Sequence, residues 1–225
     1  MFQKVDLQNP NVVRWAFALI IISLPFYFND FYYLANRHKN PLGIYLLDYA
    51  CRFWYLGFAY FFFREQAFRL ESSLKPIEKR DILIDYILWP LILYVVYRYG
   101  YYLIFFFRRI LGVSEYFYFR FPSTLNMAHK IFDLTIGVAL VAVTEELIFR
   151  RYYYSFFAYI TKRSWLGVLF QAFFFAIGHW ATGTTNVVGC FVFGLFTGAF
   201  YHYKKDLKPL ICAHFAVDFI TFLFK

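Results

Sequence analysis

Charge is scarce in this chain: only 16% of its 225 residues are Asp, Glu, Lys or Arg, against about 25% in an ordinary globular chain. Hydrophobic residues make up 61% and aromatics 26%, with 33 Phe and 21 Tyr. That balance excludes a water-soluble domain of this size and suits helices that face lipid between interfacial aromatic belts. Cysteine is scarce as well. Cys51, Cys190 and Cys212 lie in apolar stretches without paired-ligand spacing, so a disulfide framework or zinc knuckle is not expected and all three read as small buried residues. No internal repeat or low-complexity linker is present. No cleavage site follows the first apolar run, which continues through Pro25 into Phe31-Tyr32-Tyr33 and reads as a retained span. The zincin helix signature and the Ser nucleophile elbow are both missing.

Acidic residues are the scarcer sign, 14 against 23 Lys and Arg, for a net charge of +9. The basic residues do not gather on one face or tail. They punctuate the apolar runs, from Arg64 to Arg80 and at Arg108-Arg109, Arg150-Arg151, Lys162-Arg163 and Lys204-Lys205, as juxtamembrane charges do. No nucleic-acid partner is therefore expected.

What the sequence does contain is a series of apolar runs near membrane-spanning length. They cover 12–34 (Pro25 a kink), 44–63, 82–107 (with Pro90 and Gly100), 131–159, 164–180, 187–203 and 207–224. The polar turn 36–41 separates the first two. The stretch 64–81 reads as a loop or surface helix, and 108–130 as an interfacial segment. Gly189, Gly194 and Gly198 form a small-residue stripe that lets membrane helices approach closely. Only helices and closed barrels satisfy every backbone group in lipid, and these runs are too long for barrel strands. The expected fold is all-α: a polytopic transmembrane helical bundle of about seven spans (six to eight), forming a single transmembrane domain over 1–225. The positive-inside rule places the N-terminus in the cytoplasm and the C-terminus outside, with Arg108-Arg109 and Arg120 on the wrong side.

Ionisable residues inside such runs are costly, so by default they mark function and face the bundle interior. Three constellations stand out, all in the C-terminal half. In Thr144-Glu145-Glu146-Leu147-Ile148-Phe149-Arg150 the spacing of four places Glu146 beside Arg150. Glu145 diverges by about 100° and has no local partner. Either both glutamates are neutralised by Arg150 and Arg151, or the ion pair fixes the helix and leaves Glu145 as a general base. The second constellation is Phe175-Ala176-Ile177-Gly178-His179, where His179 is alternatively a helix cap or an interfacial residue. In the third, His214-Phe215-Ala216-Val217-Asp218, one helix face carries both His214 and Asp218, for function or for a structural hydrogen bond. Together, Glu145, His179, His214 and Asp218 are able to position a water beside a carbonyl and donate to the developing oxyanion. Two histidines and a carboxylate also suit zinc, with Glu145, His179 and His214 as ligands. His38, His129 and His202 fall in predicted loops or span ends and read as solvated or interfacial.

Glu-Glu-x-x-x-Arg, Phe-x-x-x-His and His-x-x-x-Asp, in this order and each on its own apolar run, resemble the motifs of the CAAX prenyl protease and bacteriocin-processing (CPBP, or ABI) family of intramembrane endopeptidases. The resemblance covers roughly 144–218. It implies an intramembrane peptide hydrolase in which Glu145, helped by His179, activates the water. His214 and Asp218 would hold the substrate carbonyl and its oxyanion, with Glu146 and Arg150 supporting. The family is described both as metal-dependent and as glutamic-type. A reaction without a cofactor is expected here, with zinc as the alternative. Asp218 departs from the Asn of many members. An ionised Asp is a poor oxyanion donor, so it must be protonated, orient His214 or bind metal. The resemblance further implies maturation of a membrane-embedded or lipid-modified peptide or protein at a C-terminal or membrane-anchored segment, by a multi-pass protein of the bilayer, in a bacterium the inner membrane.

The competing reading is a non-catalytic membrane protein, an ion- or proton-coupled transporter or a bacteriocin-immunity scaffold using the same buried polar cluster. A transporter predicts inverted repeats or broken helices in both halves, whereas the ionisable groups noted above sit in one. A membrane acyltransferase carries four residues between its His and Asp, against three here.

Overall fold

A computed structural model describes residues 10–36, 40–63, 82–114 and 125–223. Every regular element among them is helical. Seven continuous stretches follow the seven apolar runs: α1 Pro10–Asn36, α2 Pro41–Phe63, α3 Ile84–Ile110, α4 over 127–161, α5 Ser164–Ile177, α6 Thr184–Lys204 and α7 Lys208–Leu223. A single 3₁₀ turn, Trp180–Thr182, joins α5 to α6. The polar stretch 64–81, His38 and residues 115–124 of the interfacial segment lie outside the described residues.

Local chemistry sets the boundaries. Proline opens both α1 and α2, where its missing N–H would be unpaired anyway. Helix α1 runs unbroken through Pro25. Ahead of Pro90, α3 opens with a wide π turn, Ile84–Leu88, a common accommodation of a helical proline. Helix α4 begins with the Asn126 side chain accepting from the His129 N–H at 2.8 Å. It ends at Lys162, whose φ of 57° is the left-handed stop usual at helix C-termini.

Three helices, Val12–Asn36, Ile84–Ile110 and Thr184–Lys204, are long and apolar enough to cross a bilayer. Their outward residues are large and apolar at helical spacing: Phe17, Ile20, Leu24, Phe28 and Phe31 on α1, and Tyr99, Tyr102, Phe106 and Ile110 on α3, are all exposed. Exposed apolar stripes of this length are a liability in water and the normal state in lipid, and the chain is a membrane protein. Helix α5, with 14 residues, extends only about 21 Å, short of a hydrocarbon core of about 30 Å.

Helix α4 is the hub, packing against α1, α2, α5, α6 and α7, while α3 covers α6 and α7. The glycine stripe on α6 divides by role. A Cβ at Gly194 would lie 2.9 Å from the Ala172 Cα on α5, and one at Gly198 would strike the Gln171 amide. Gly189 has open space beside it and faces α3, where it and Gly100 line a shallow gap with Tyr97 and Phe193. Two of the three glycines therefore serve close approach. Of the cysteines, Cys51 and Cys190 are buried but Cys212 is exposed, on the outer face of α7, which corrects the expectation for that residue.

Candidate active site

Helix α4 changes form between its two glutamates. Val138–Glu145 is α-helical and Glu146–Tyr153 is a π-helix, a wide turn often found at functional positions. The two carboxylates part there: Glu145 meets Arg52 of α2, while Glu146 pairs with Arg150 one turn further along its own helix and with His214 of α7. Both are buried, as are Arg150 and His214.

The expected intrahelical pair is present, with Arg150 Nε 3.0 Å from Glu146 Oε2. Arg150 also donates from one terminal nitrogen to Gln171 Oε1 at 2.7 Å, and its guanidinium lies over the Phe175 ring. Gln171 in turn donates to the Gly194 and Val168 carbonyls. The cation is thus tied to α5 and, through Gln171, to α6.

His214 meets three carboxylates. Its Nδ1 is 2.8 Å from Glu146 Oε1, and its Nε2 is 3.5 Å from Asp218 Oδ2 and 3.8 Å from Glu145 Oε2. A carboxylate can only accept, so Nδ1 carries a proton towards Glu146. The spacing of four on α7 does place Asp218 beside His214, yet the shorter contact is to Glu146 on α4. Phe175 and Phe193 pack around the same imidazole.

Glu145 is not without a partner. Arg52 on α2 donates to its Oε1 at 3.0 Å and to Asp48 Oδ1 at 3.1 Å. Asp48 also receives the Tyr33 hydroxyl, which itself accepts from Asn29. This α1–α2 network corrects the reading that ionisable groups within apolar runs are confined to the C-terminal half. Asp30, Asp48, Arg52 and Asp85 are buried too. Sequence offered a signal for it, since Asp48 and Arg52 stand four apart inside an apolar run, like Glu146 and Arg150.

His179 sits apart. It lies just past the end of α5, with Nδ1 2.9 Å from the Phe175 carbonyl oxygen. A carbonyl only accepts, so Nδ1 is the donor and Nε2 remains an acceptor. No hydrogen bond joins His179 to Glu145, His214 or Asp218 among the described residues. The Phe175 ring is shared between His179 and His214, and the Phe26 ring between His179 and Arg52. Gly178 makes room for Phe26, whose ring occupies the place of a Cβ. The turn is pinned to α1 by Trp180, which donates to the Tyr27 carbonyl at 3.0 Å, and by the Ala181 N–H, which Asp30 accepts. His129 and His202 are half-buried at helix ends. His202 Nδ1 meets the Tyr154 hydroxyl at 2.7 Å, and His129 packs on Tyr45.

The zinc set Glu145, His179 and His214 does not assemble. Among the described residues no group of three or more His, Cys, Asp or Glu is placed to hold a metal ion. Glu145 is paired with Arg52, and among the described residues no hydrogen bond or ion pair joins His179 to Glu145 or His214.

Comparison with curated proteins and with solved structures gave no match. A family model does match: residues 127–220 fit that of type II CAAX prenyl endopeptidase Rce1-like proteins. The matched stretch starts at the first turn of α4 and ends within α7, so it contains Glu145, Glu146, Arg150, His179, His214 and Asp218 but not Arg52 or Asp48. Over this segment, 127–220 and somewhat under half of the chain, the protein is similar to the Rce1-like type II CAAX prenyl endopeptidases.

Proposed function

We propose that this protein is a multi-pass intramembrane endopeptidase that hydrolyses a peptide bond with a water activated by Glu145. The observation that carries the reading is the meeting of Glu145 and Glu146 of α4 with His214 and Asp218 of α7 inside the bundle, within the segment that matches the protease family.

Arg52 occupies one oxygen of Glu145 and leaves Oε2 to accept a proton from water. The water oxygen attacks the substrate carbonyl carbon while Glu145 takes the proton, and the same proton passes to the departing amine. His179, with Nε2 free to accept, borders the site across Phe26 and Phe175 and steadies the water. His214 donates towards the developing oxyanion from the other side. Its Nδ1–H is given to Glu146, so the donor to the oxyanion is the Nε2–H of the doubly protonated ring, which Asp218 orients. Glu146 and Arg150 support the imidazole and touch no reacting atom. No step requires a metal or other cofactor.

The site is enclosed by helices, so the substrate is a membrane-embedded or lipid-modified peptide, the C-terminal prenylated peptide named by the family being the first candidate. A bacterial inner membrane is the proposed location. One observation favours the non-catalytic alternative: every carboxylate of the cluster has a cationic or imidazole neighbour, as in a packing scaffold.

Proteoliposomes holding the full chain and a quenched fluorescent farnesylated CAAX peptide separate the two. The peptidase reading predicts cleavage by the wild type, with Glu145→Ala and His179→Ala each inactive at unchanged insertion and melting temperature. Full activity in either variant would sink the mechanism.

A further inference from the structure

We infer that Arg52, on α2 and outside the family-matched segment, is the positioning residue for Glu145, holding one carboxylate oxygen so that the other faces His214. The inference rests on the proposed role of Glu145 as base.

The geometry is restrictive. Arg52 is 7% exposed. Its two terminal nitrogens divide between Asp48 Oδ1 at 3.1 Å and Glu145 Oε1 at 3.0 Å. The Phe26 and Tyr55 rings lie 6.0 and 5.8 Å from the guanidinium carbon. A planar cation fixed at its edge by two carboxylates and flanked by two aromatic rings has little freedom left. Asp48 is fixed in turn by Tyr33, so the chain of contacts runs from α1 through α2 to α4.

Among the described residues no other cation takes this place. Arg150 is committed to Glu146 and Gln171, and His214 Nε2 stays 3.8 Å from Glu145. With Arg52 on Oε1, rotation of the Glu145 carboxyl is stopped and Oε2 is presented to the α7 side. Phe26 links this arrangement to His179, because the same ring touches both. The N-terminal helices therefore supply part of the site's geometry.

A plain staple between α2 and α4 would give the same contacts, so the test needs a readout that stability alone does not move. The full-length protein in proteoliposomes is compared with Arg52→Gln and Arg52→Lys on the farnesylated peptide. The expectation for Arg52→Gln is a fall in kcat of about 10²-fold, the size of effect that small misplacements of a reacting group produce, with KM unchanged. Arg52→Lys, which keeps the charge but not the fork, recovers part of the loss. An active wild type with unimpaired Arg52→Gln overturns the positioning role alone, as does a loss equal in the two variants and matched by their loss of melting temperature. An inactive wild type overturns the peptidase reading.

A second measurement needs no turnover. Dicyclohexylcarbodiimide adds to protonated carboxyls in apolar surroundings, and mass spectrometry distinguishes adducts on Glu145 and Glu146. Labelling of Glu145 is expected to be several-fold faster in Arg52→Gln than in the wild type. Equal rates overturn the pairing.

Discussion

His214 Nδ1 lies 2.8 Å from Glu146 Oε1, and the other oxygen of that carboxylate lies 3.0 Å from Arg150. One buried anion thus bridges an imidazole on α7 and a guanidinium on its own helix. The arrangement makes Glu146 a structural carboxylate and gives the ring nitrogen facing it a proton. It also ties the α–π transition of α4 to α7.

Glu146→Gln and Arg150→Ala are therefore expected to destabilise the fold, each leaving a buried charge without its partner at a cost of about 3–5 kcal/mol. Thermal melts of purified protein in detergent measure this. If both variants keep the wild-type melting temperature, the pair contributes nothing to stability.

In the proposed mechanism Asp218, whose Oδ2 lies 3.5 Å from Nε2, orients His214 and does not donate to the oxyanion. Asp218→Asn, with an oxygen able to take the same position, is expected to keep peptide cleavage within about tenfold, and Asp218→Leu to lose about 10²-fold by misplacing the imidazole. The comparison is made at equal folded protein. Similar activities for Asn and Leu would remove the orienting role.

The α6 glycines are expected to separate cleanly. Gly194→Val forces a side chain against the Ala172 backbone and should cost about 1–3 kcal/mol of stability. Gly189→Ala enters open space and should be neutral or stabilising by up to about 1 kcal/mol through helix propensity. Melting temperatures check both, and a wild-type melt for Gly194→Val would mean that α5 and α6 separate freely.

Chelation by 1,10-phenanthroline should leave peptide cleavage intact, and elemental analysis of active protein should show no stoichiometric zinc. Loss of activity on chelation, restored by zinc, would point instead to a ligand set assembled only when metal binds.

Much of the fold is legible in the sequence because lipid imposes a simple rule: a backbone surrounded by hydrocarbon must satisfy itself, so each long apolar run becomes a helix. The seven runs and the seven helical stretches agree within a few residues, apart from the four extra residues at the start of α4 and the early end of α5 at Ile177. Helical spacing also anticipates Glu146 beside Arg150, because residues four apart on one helix meet wherever that helix is placed.

Contacts between helices obey no such rule. That Arg52 reaches Glu145 across 93 positions, and that His214 turns to Glu146 before Asp218, depends on which faces of α2, α4 and α7 pack together. The two adjacent carboxylates stand where the wide turn of α4 begins, and packing gives Glu145 a partner on α2 and Glu146 one on α7. By itself the sequence determined a helical membrane chain with a polar set in its last third, through apolar length and the cost of charge in lipid. Only the tertiary structure decided that Glu145 is held by an arginine from the first half, because a buried charge takes whichever partner the packing brings within reach.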